Sequence, residues 1–186
     1  MRGMRWLVAA ALGIVLSASL VRGAMTYPMT IVAEASATSG DTTINSKVTI
    51  HVEELLPESR RTKVVDGLKY NGYQGFMNAM RPLPALGSIQ VQNRKVDVRY
   101  AWETNVDQKH RLVLVSDKPL FFLAGDASKA RTGYELTVVD LLFDEHGAAT
   151  GTMAGAARVK PTPDGGVVLD DYAVAPVTLH VAAPVK

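Results

Sequence analysis

A repeated two-residue alternation of apolar and polar side chains is the strongest constraint on how this chain folds. It is clearest in residues 44–55, where Val48, Ile50 and Val52 alternate with polar residues. Such alternation predicts a strand with one face on a core and the other in solvent. Similar segments recur about every ten residues with turn residues between them, as in antiparallel sandwiches and barrels. The polar residues 103–110 are predicted to form one of the loops. We predict a mainly β protein of about eight strands, either an antiparallel sandwich or a partly open barrel.

One segment, residues 57–86, follows a helical pattern instead. Val64 and Leu68 fall at helical spacing, and a second helix over residues 73–80 would place its aromatic and methionine side chains on one face. The pair Asn71-Gly72 interrupts the pattern between these two helices. The sequence therefore predicts a helical hairpin inserted between strands.

The first 23 residues have the composition of a secretory signal peptide. Two arginines precede an apolar run from Trp6 to Leu20, and small residues follow it. The run is shorter than the ~20 residues of a membrane-spanning helix, and no later segment is long and apolar enough to span. We predict cleavage after Gly23 and a single β-rich domain over residues 24–186. A cut after Ser19 and an uncleaved anchor are the alternatives.

The composition of residues 24–186 narrows the environment and the partners. The chain has no cysteine, so its stability must come from its core, and thiol catalysis and thiolate metal sites are excluded. Three of the 20 basic residues and none of the 18 acidic ones lie in residues 1–23, which leaves a net charge of −1. A near-neutral, mixed surface argues against nucleic acid and anionic membranes as partners. These features predict a bacterial periplasmic or secreted protein.

Aromatic and methionine side chains supply the candidate ligand site. They lie on neighbouring predicted strands and on the inserted helix, so a helix over a β core could enclose a small apolar molecule. Simple filling of the core is the competing interpretation and is favoured, because a domain of this size needs such residues. The candidate ligand-binding residues are Phe76, Met80, Tyr100, Trp102, Phe122 and Tyr134.

Signals for catalysis, metals and cofactors are weak. His51 and Glu53 share a strand face but are too few to form a metal site, and the acidic residues near residues 140–146 fit a turn better than a calcium loop. No nucleophile elbow or phosphate-binding loop occurs. We predict no catalytic residue, no metal and no cofactor. Carboxylates that remain possible for dispersed hydrolase chemistry are Glu34, Glu53, Glu103 and Glu135.

The predicted strand over residues 149–160 is unusually rich in glycine and alanine. Small side chains there indicate either a neighbouring element that packs very close or space that a ligand fills. Close packing is the favoured interpretation.

A series of short motifs along residues 71–177 resembles a group of exported bacterial proteins whose activity is uncharacterised. The resemblance spans nearly all of the predicted mature chain, and it implies export and a single domain without transferring any functional residue. The motifs are Asn71-Gly72-Tyr73-Gln74-Gly75-Phe76, Gly87-Ser88-Ile89, Arg111 to Phe122, Gly133-Tyr134-Glu135-Leu136, Gly151-Thr152-Met153, Asp170-Asp171-Tyr172 and Pro176-Val177.

Three functions follow from these observations, in order of preference. The first is an exported, non-catalytic binding module for a small apolar ligand or a protein partner. The second is a structural or assembly accessory of the cell envelope that pairs through exposed strand edges. The third is an exported hydrolase with dispersed catalytic residues, which requires a cleft with a carboxylate or serine near a histidine. The sequence leaves the oligomeric state open.

Overall fold

The computed structural model describes residues 25–39, 41–122 and 131–183. In these ranges the chain forms ten strands and one broken helix. The predicted signal peptide lies outside the described residues. The elements are β1 (Met29–Ser39), β2 (Thr42–Val52), α1 (Glu58–Met80), β3 (Gly87–Val91), β4 (Arg94–Val98), β5 (Tyr100–Val106), β6 (Lys109–Ser116), β7 (Leu136–Phe143), β8 (Ala149–Pro161), β9 (Val167–Tyr172) and β10 (Val177–Val181).

All ten strands belong to one antiparallel sheet that is nearly closed into a barrel. The order is β4-β3-β2-β1-β10-β8-β7-β6-β5, with β9 paired to the second half of β8. Only Arg99 separates β4 from β5, yet these strands lie at opposite ends of that order. The sheet must therefore curl until its two edges meet, and the Arg99 N–H joins them by donating to the Val115 carbonyl at 3.0 Å.

The alternation seen in the sequence defines the inside of this barrel. Val48, Ile50 and Val52 of β2 are fully buried, whereas Val32 on the opposite face of β1 is 50% exposed. Cross-strand partners in an antiparallel pair point to the same face of the sheet. The residue pairs between neighbouring strands therefore identify the inner face of each strand in turn. The core is therefore continuous from β1 to β10.

Strands β5 to β8 are covered on both faces. Residues 112–116 of β6 are all buried, as the continuous apolar run predicts. Tyr100 pairs with Val115 and therefore shares its face, and α1 covers this outer face through the contact between Phe76 and Tyr100, whose ring centroids are 6.2 Å apart. The hairpin thus lies against the outside of the barrel.

The break in α1 is at Gly72, as the sequence predicts. Gly72 has φ 64° and ψ −158°, a conformation that a helix interior does not allow and that favours glycine. Gly67 and Gly75 then face each other: a Cβ on Gly75 would lie 2.2 Å from the Gly67 carbonyl oxygen. Residues eight apart in a straight helix would be about 12 Å apart along its axis, so this contact shows that the second arm folds back on the first.

The predicted fold class, a mainly β partly open barrel or sandwich with a helical insertion, is confirmed. One local prediction is wrong. Residues 103–110 are too polar to suggest strands, but β5 continues to Val106 and β6 begins at Lys109, with a tight turn between them. The polar side chains there lie at the end of the barrel, where the inner face of a strand reaches solvent.

Candidate functional site

The six predicted ligand-binding residues are all buried. Phe76 and Tyr100 are in direct contact, as described above. Burial raises the pKa of the Tyr100 hydroxyl well above its usual value, and this hydroxyl has no hydrogen-bond partner among the described residues. None of the six lines the three cavities described below. Their role as a ligand site stays a prediction.

Trp102 fills its surroundings tightly. The Arg61 guanidinium lies 6.0 Å from the centroid of its ring, on the side of the hairpin. On the side of the β8–β9 turn, a Cβ added to Gly166 would lie 2.1 Å from the indole. This tight contact favours the core-filling interpretation for Trp102.

Tyr134 belongs to a polar cluster that fastens the hairpin to the barrel. Its hydroxyl donates to Asp171 at 2.5 Å, and the Arg158 guanidinium lies 5.6 Å from its ring and 5.5 Å from the ring of Tyr73. Tyr73 in turn donates its hydroxyl to the Glu135 carboxylate and accepts the Glu135 N–H at 3.0 Å. These two hydrogen bonds connect the second arm of the hairpin to Glu135, which directly precedes β7.

These contacts shift the pKa of both carboxyls downwards. Burial raises the pKa of Glu135, but the hydrogen bond from Tyr73, the backbone N–H groups of residues 133 and 135 and the charge of Arg81 outweigh burial. The hydrogen bond from Tyr134, with the N–H of Tyr172, lowers the pKa of Asp171. Both carboxyls therefore serve as anionic acceptors near neutral pH.

A cleft opens where the barrel fails to close, and we call it the seam cleft. At one end of the seam the Arg99 N–H bonds to Val115, and at the other the Arg94 guanidinium donates to the Phe122 carbonyl at 3.3 Å. Between these two bonds, β4, which has no strand on this side in the part of the chain that the structure describes, and the segment after β6 enclose a cleft of about 340 Å³. The lining residues are Arg94, Lys95, Val96, Lys118, Pro119, Leu120 and Phe121.

The seam cleft is cationic over an apolar floor. Lys95 and Lys118 are exposed and form no ion pair with any carboxylate of the described residues. The nearest acids in sequence are already occupied: Asp117 lies 3.1 Å and Asp97 3.7 Å from the Arg99 guanidinium. No local pattern predicts this cleft, because its residues come from two separate segments and neither segment has an unusual pattern.

A second cavity lies at the end of the barrel opposite the β1–β2 turn, and we call this end the barrel mouth. Glu103 of β5 accepts hydrogen bonds there from the Tyr27 hydroxyl at 3.0 Å and from His110 Nδ1 at 2.9 Å. The side chains of Glu103 and His110 are only 12% and 15% exposed. Burial raises the pKa of Tyr27, and the charge of Glu103 adds to this effect. The adjoining cavity of about 240 Å³ is lined by Met25, Gln108, His110, Phe143, Asp144, Glu145 and Gly147.

Sequence reasoning kept Glu103 as one of four equivalent carboxylates and gave His110 no role. The structure distinguishes this pair, because register places both side chains on the inner face at adjacent strand ends. A carboxylate within hydrogen-bond distance of a histidine beside a cavity is the arrangement that the hydrolase hypothesis requires. None of the described residues that line the cavity is a serine or a threonine.

His51 and Glu53 form an exposed chain of hydrogen bonds instead of a metal site. Thr30 Oγ1 lies 2.9 Å from His51 Nδ1, and His51 Nε2 lies 2.8 Å from Glu53 Oε1. The order hydroxyl–imidazole–carboxylate is that of a hydrolytic triad. The histidine and the carboxylate are 39% and 59% exposed, and none of the three residues lines a cavity described here, so the arrangement lacks an enclosed substrate site.

The acidic residues at the end of β7 and in the turn that follows it stabilise the turn and the outer face of the strand. Asp144 Oδ1 accepts the N–H groups of His146 and Ala148, and Gly147 has φ 82°, as a turn requires. Asp140 forms a two-bond ion pair with Arg111, and these hydrogen bonds raise the pKa of the guanidinium. Among the described residues, no group of three or more His, Asp or Glu side chains could hold a metal ion.

A third cavity, of about 350 Å³, lies on the outer surface near the start of β8. Glu34, Lys109, Asp144 and His180 contribute charges of both signs to its lining, so it presents no single charge to a ligand.

The small residues of β8 allow close packing. A Cβ on Gly151 would lie 1.9 Å from the Asp140 carbonyl oxygen, and one on Gly155 would lie 2.1 Å from that of Leu120. The favoured interpretation, a neighbouring element packed very close, is confirmed at both positions.

Comparison with known proteins gives no match: no protein-family model, no curated protein and no solved structure is similar to this chain. Function must therefore be argued from the sites themselves. None of the helical residues that the structure describes forms a segment long and apolar enough to cross a membrane.

Proposed function

We propose that this protein is an exported binding module of the bacterial periplasm or exterior, and that the seam cleft binds a small amphipathic carboxylate. The observation that supports the proposal is the combination of exposed cations and an apolar floor. Lys95 and Lys118 are exposed and have no carboxylate partner among the described residues, and Leu120 and Phe121 line the same cleft. Charge and surface thus complement a ligand with one anionic end and one hydrocarbon end.

The size of the cleft sets the size of the ligand. A volume of about 340 Å³ is at the lower end of the range of small-molecule sites, about 300–1,000 Å³. A fatty acid of medium chain length fits this range, with its carboxylate between the two lysines and its chain along the floor. Each cation within about 4 Å of an anion in water contributes about 1 kcal/mol, or about a fivefold change in affinity.

Titration calorimetry with decanoate, decanol and decyltrimethylammonium tests the proposal. Decanoate should bind, decanol should bind several-fold more weakly, and the cation should not bind. Lys95→Gln and Lys118→Gln should each weaken decanoate binding about three- to tenfold, whereas Lys63→Gln, an exposed lysine on the hairpin, should not change it. Equal affinity for decanoate and decanol, or wild-type affinity in both cleft variants, would overturn the proposal.

A second candidate function is an accessory that assembles through strand pairing. One observation favours it: β1 pairs with β10 only at residues 34–36, and β2 pairs with β3 only from Val48 onwards. The distal part of the β1–β2 hairpin, residues 37–47, therefore has no further strand on either side among the described residues. A monomeric mass in light scattering at micromolar concentration would count against this function, and a dimer that Asn45→Pro abolishes would favour it.

A further inference from the structure

Two histidines of the described residues form short hydrogen bonds to a glutamate, and the two pairs differ in their surroundings. His51 and Glu53 are exposed to solvent, and neither lines any of the three cavities. His110 and Glu103 are largely buried at the barrel mouth, and His110 lines the cavity of about 240 Å³. The pair at the barrel mouth thus combines burial with a space that a small molecule can enter.

Glu103 determines which nitrogen of His110 carries the proton. A carboxylate offers only acceptor atoms, so His110 Nδ1, 2.9 Å from Glu103 Oε1, is the donor of their hydrogen bond. In the neutral imidazole the lone pair then lies on Nε2. The second carboxylate oxygen, Glu103 Oε2, accepts the Tyr27 hydroxyl at 3.0 Å and is held by it. These two bonds fix the tautomer and the orientation of the ring.

The lining of the cavity places the imidazole between Glu103 and the open space. His110 is a lining residue and Glu103 is not, so the pair meets the cavity through the histidine. Met25 and Phe143 make part of the wall apolar, and the carboxylate of Asp144 adds an acidic group. The cavity is smaller than the usual 300–1,000 Å³ of small-molecule sites. It therefore favours a small uncharged molecule over an anion.

We propose that the barrel mouth is a catalytic site, in which His110 is the general base for hydrolysis of small uncharged esters and Glu103 is its positioning residue. No described lining residue is a serine or threonine, so water is the nucleophile. His110 Nε2 takes a proton from the water while the water oxygen bonds to the ester carbonyl carbon. The tetrahedral intermediate then releases the alcohol oxygen, which takes the proton from Nε2, and ester and water become carboxylic acid and alcohol. The inference is independent of the seam cleft.

Hydrolysis of p-nitrophenyl acetate by the purified protein tests the proposal, with absorbance as the readout of released p-nitrophenol. Exposed imidazoles also react slowly with this ester, so the exposed pair supplies the matched control. His110→Gln should lower kcat/KM about 100-fold or more, as loss of one general base does. His51→Gln should leave kcat/KM unchanged. Equal losses in the two variants, or the wild-type value in His110→Gln, would overturn the inference.

A variant of the positioning residue separates catalysis from structure. Glu103→Gln keeps an oxygen that accepts the Nδ1 proton, but it lacks the charge that stabilises the imidazolium formed between the two proton transfers. We expect kcat to fall about tenfold or more while KM changes little. Hydrolysis by the wild type should also be slower in heavy water, because a proton moves as water attacks. Wild-type kcat in Glu103→Gln, or equal rates in light and heavy water, would count against the mechanism.

A further measurement uses the wild-type protein alone and is decisive even if the variants at the mouth fold poorly. Diethyl pyrocarbonate, a small uncharged electrophile, transfers its ethoxycarbonyl group to a bare imidazole nitrogen and releases ethanol and carbon dioxide. Peptide mass spectrometry then identifies the modified histidines. Loss of activity should follow modification of His110 and not that of His51 or His146. Activity that survives complete modification of His110 would exclude it as the base.

Discussion

Substitution of Gly75 by alanine tests whether α1 is a folded-back hairpin. In the exposed interior of an ordinary helix this change stabilises by about 1 kcal/mol, because alanine loses less backbone entropy on folding. Here the new Cβ would lie 2.2 Å from the Gly67 carbonyl oxygen and 2.5 Å from the Asn71 Cβ. Backbone atoms of a packed helix cannot rotate away, so the two arms must separate by about 1 Å.

The destabilisation from this close contact can be compared with the stabilisation of about 1 kcal/mol that alanine brings to an ordinary helix. Overpacking of a tight contact typically costs about 1–3 kcal/mol, and occasionally more. The separation here also disturbs the apolar side chains that both arms bury against the barrel. We therefore expect a net loss of about 1–3 kcal/mol for Gly75→Ala, the opposite sign to that of an ordinary helix. Val64, Val65, Leu68, Phe76, Met77 and Met80 are the buried side chains of the two arms.

Urea unfolding followed by tryptophan fluorescence measures this difference. Trp102 is the single tryptophan of residues 24–186 and is 4% exposed, so its emission reports on the packed state. Gln74→Ala, an exposed neighbour on the same arm, is the matched control and should change the free energy of unfolding by less than about 0.5 kcal/mol. The double variant with Gly67→Ala should lose less than the sum of the single losses, because one separation relieves both contacts. If Gly75→Ala is as stable as the wild type or more stable, the folded-back hairpin is wrong.

Two further predictions concern the polar cluster that ties the hairpin to the barrel. Tyr73→Phe should lower the free energy of unfolding by about 1–3 kcal/mol, because it removes a hydroxyl that donates to the Glu135 carboxylate and accepts the Glu135 N–H. The control is Tyr70→Phe, since Tyr70 is 71% exposed. Equal urea-unfolding midpoints for the two variants would contradict the role of Tyr73. The pKa of Glu135 is lowered in the folded protein, so the stabilisation from its ionised carboxylate is complete above its ordinary pKa near 4.5 and is lost as the pH falls through the lower folded value. The difference in free energy of unfolding between wild type and Glu135→Gln should therefore narrow below about pH 4.5. A difference that stays constant from about pH 7 to about pH 3 would show that ionisation of Glu135 does not contribute.

Local sequence patterns predicted the strands and the hairpin because each depends on neighbours along the chain. The alternation around Ile50 and the glycine at position 72 report directly on burial and on a positive φ. The same reasoning failed over residues 103–110, where polarity indicated a loop. Glu103 and His110 are polar because the inner face of a barrel reaches solvent at its rim, and no local pattern distinguishes a rim from a loop.

The candidate sites depend on pairing, which local patterns do not contain. Nothing in the local sequence distinguishes Lys95 or Lys118 from other lysines. They line one cleft because the continuous segment β4–β5 changes its pairing partner at Arg99. Before that residue the chain pairs with β3, and after it with β6, so among the described residues β4 has one side without a hydrogen-bonded strand. The seam is thus a direct consequence of closing the sheet with a bent strand rather than a full set of pairs.

This topology also explains why the seam and the barrel mouth are better candidates than the aromatic layer. Phe76 and Tyr100 pack against each other between hairpin and sheet, and a Cβ added to Gly166 would lie 2.1 Å from the indole of Trp102, so this layer is closely packed at both places. At the seam and the mouth no further strand pairs with the sheet among the described residues. Polar side chains form hydrogen bonds there instead, such as that from Arg94 to the Phe122 carbonyl and that from Tyr27 to Glu103. A barrel that is closed by bending one strand leaves such openings, and a ligand can enter there without displacing a packed side chain.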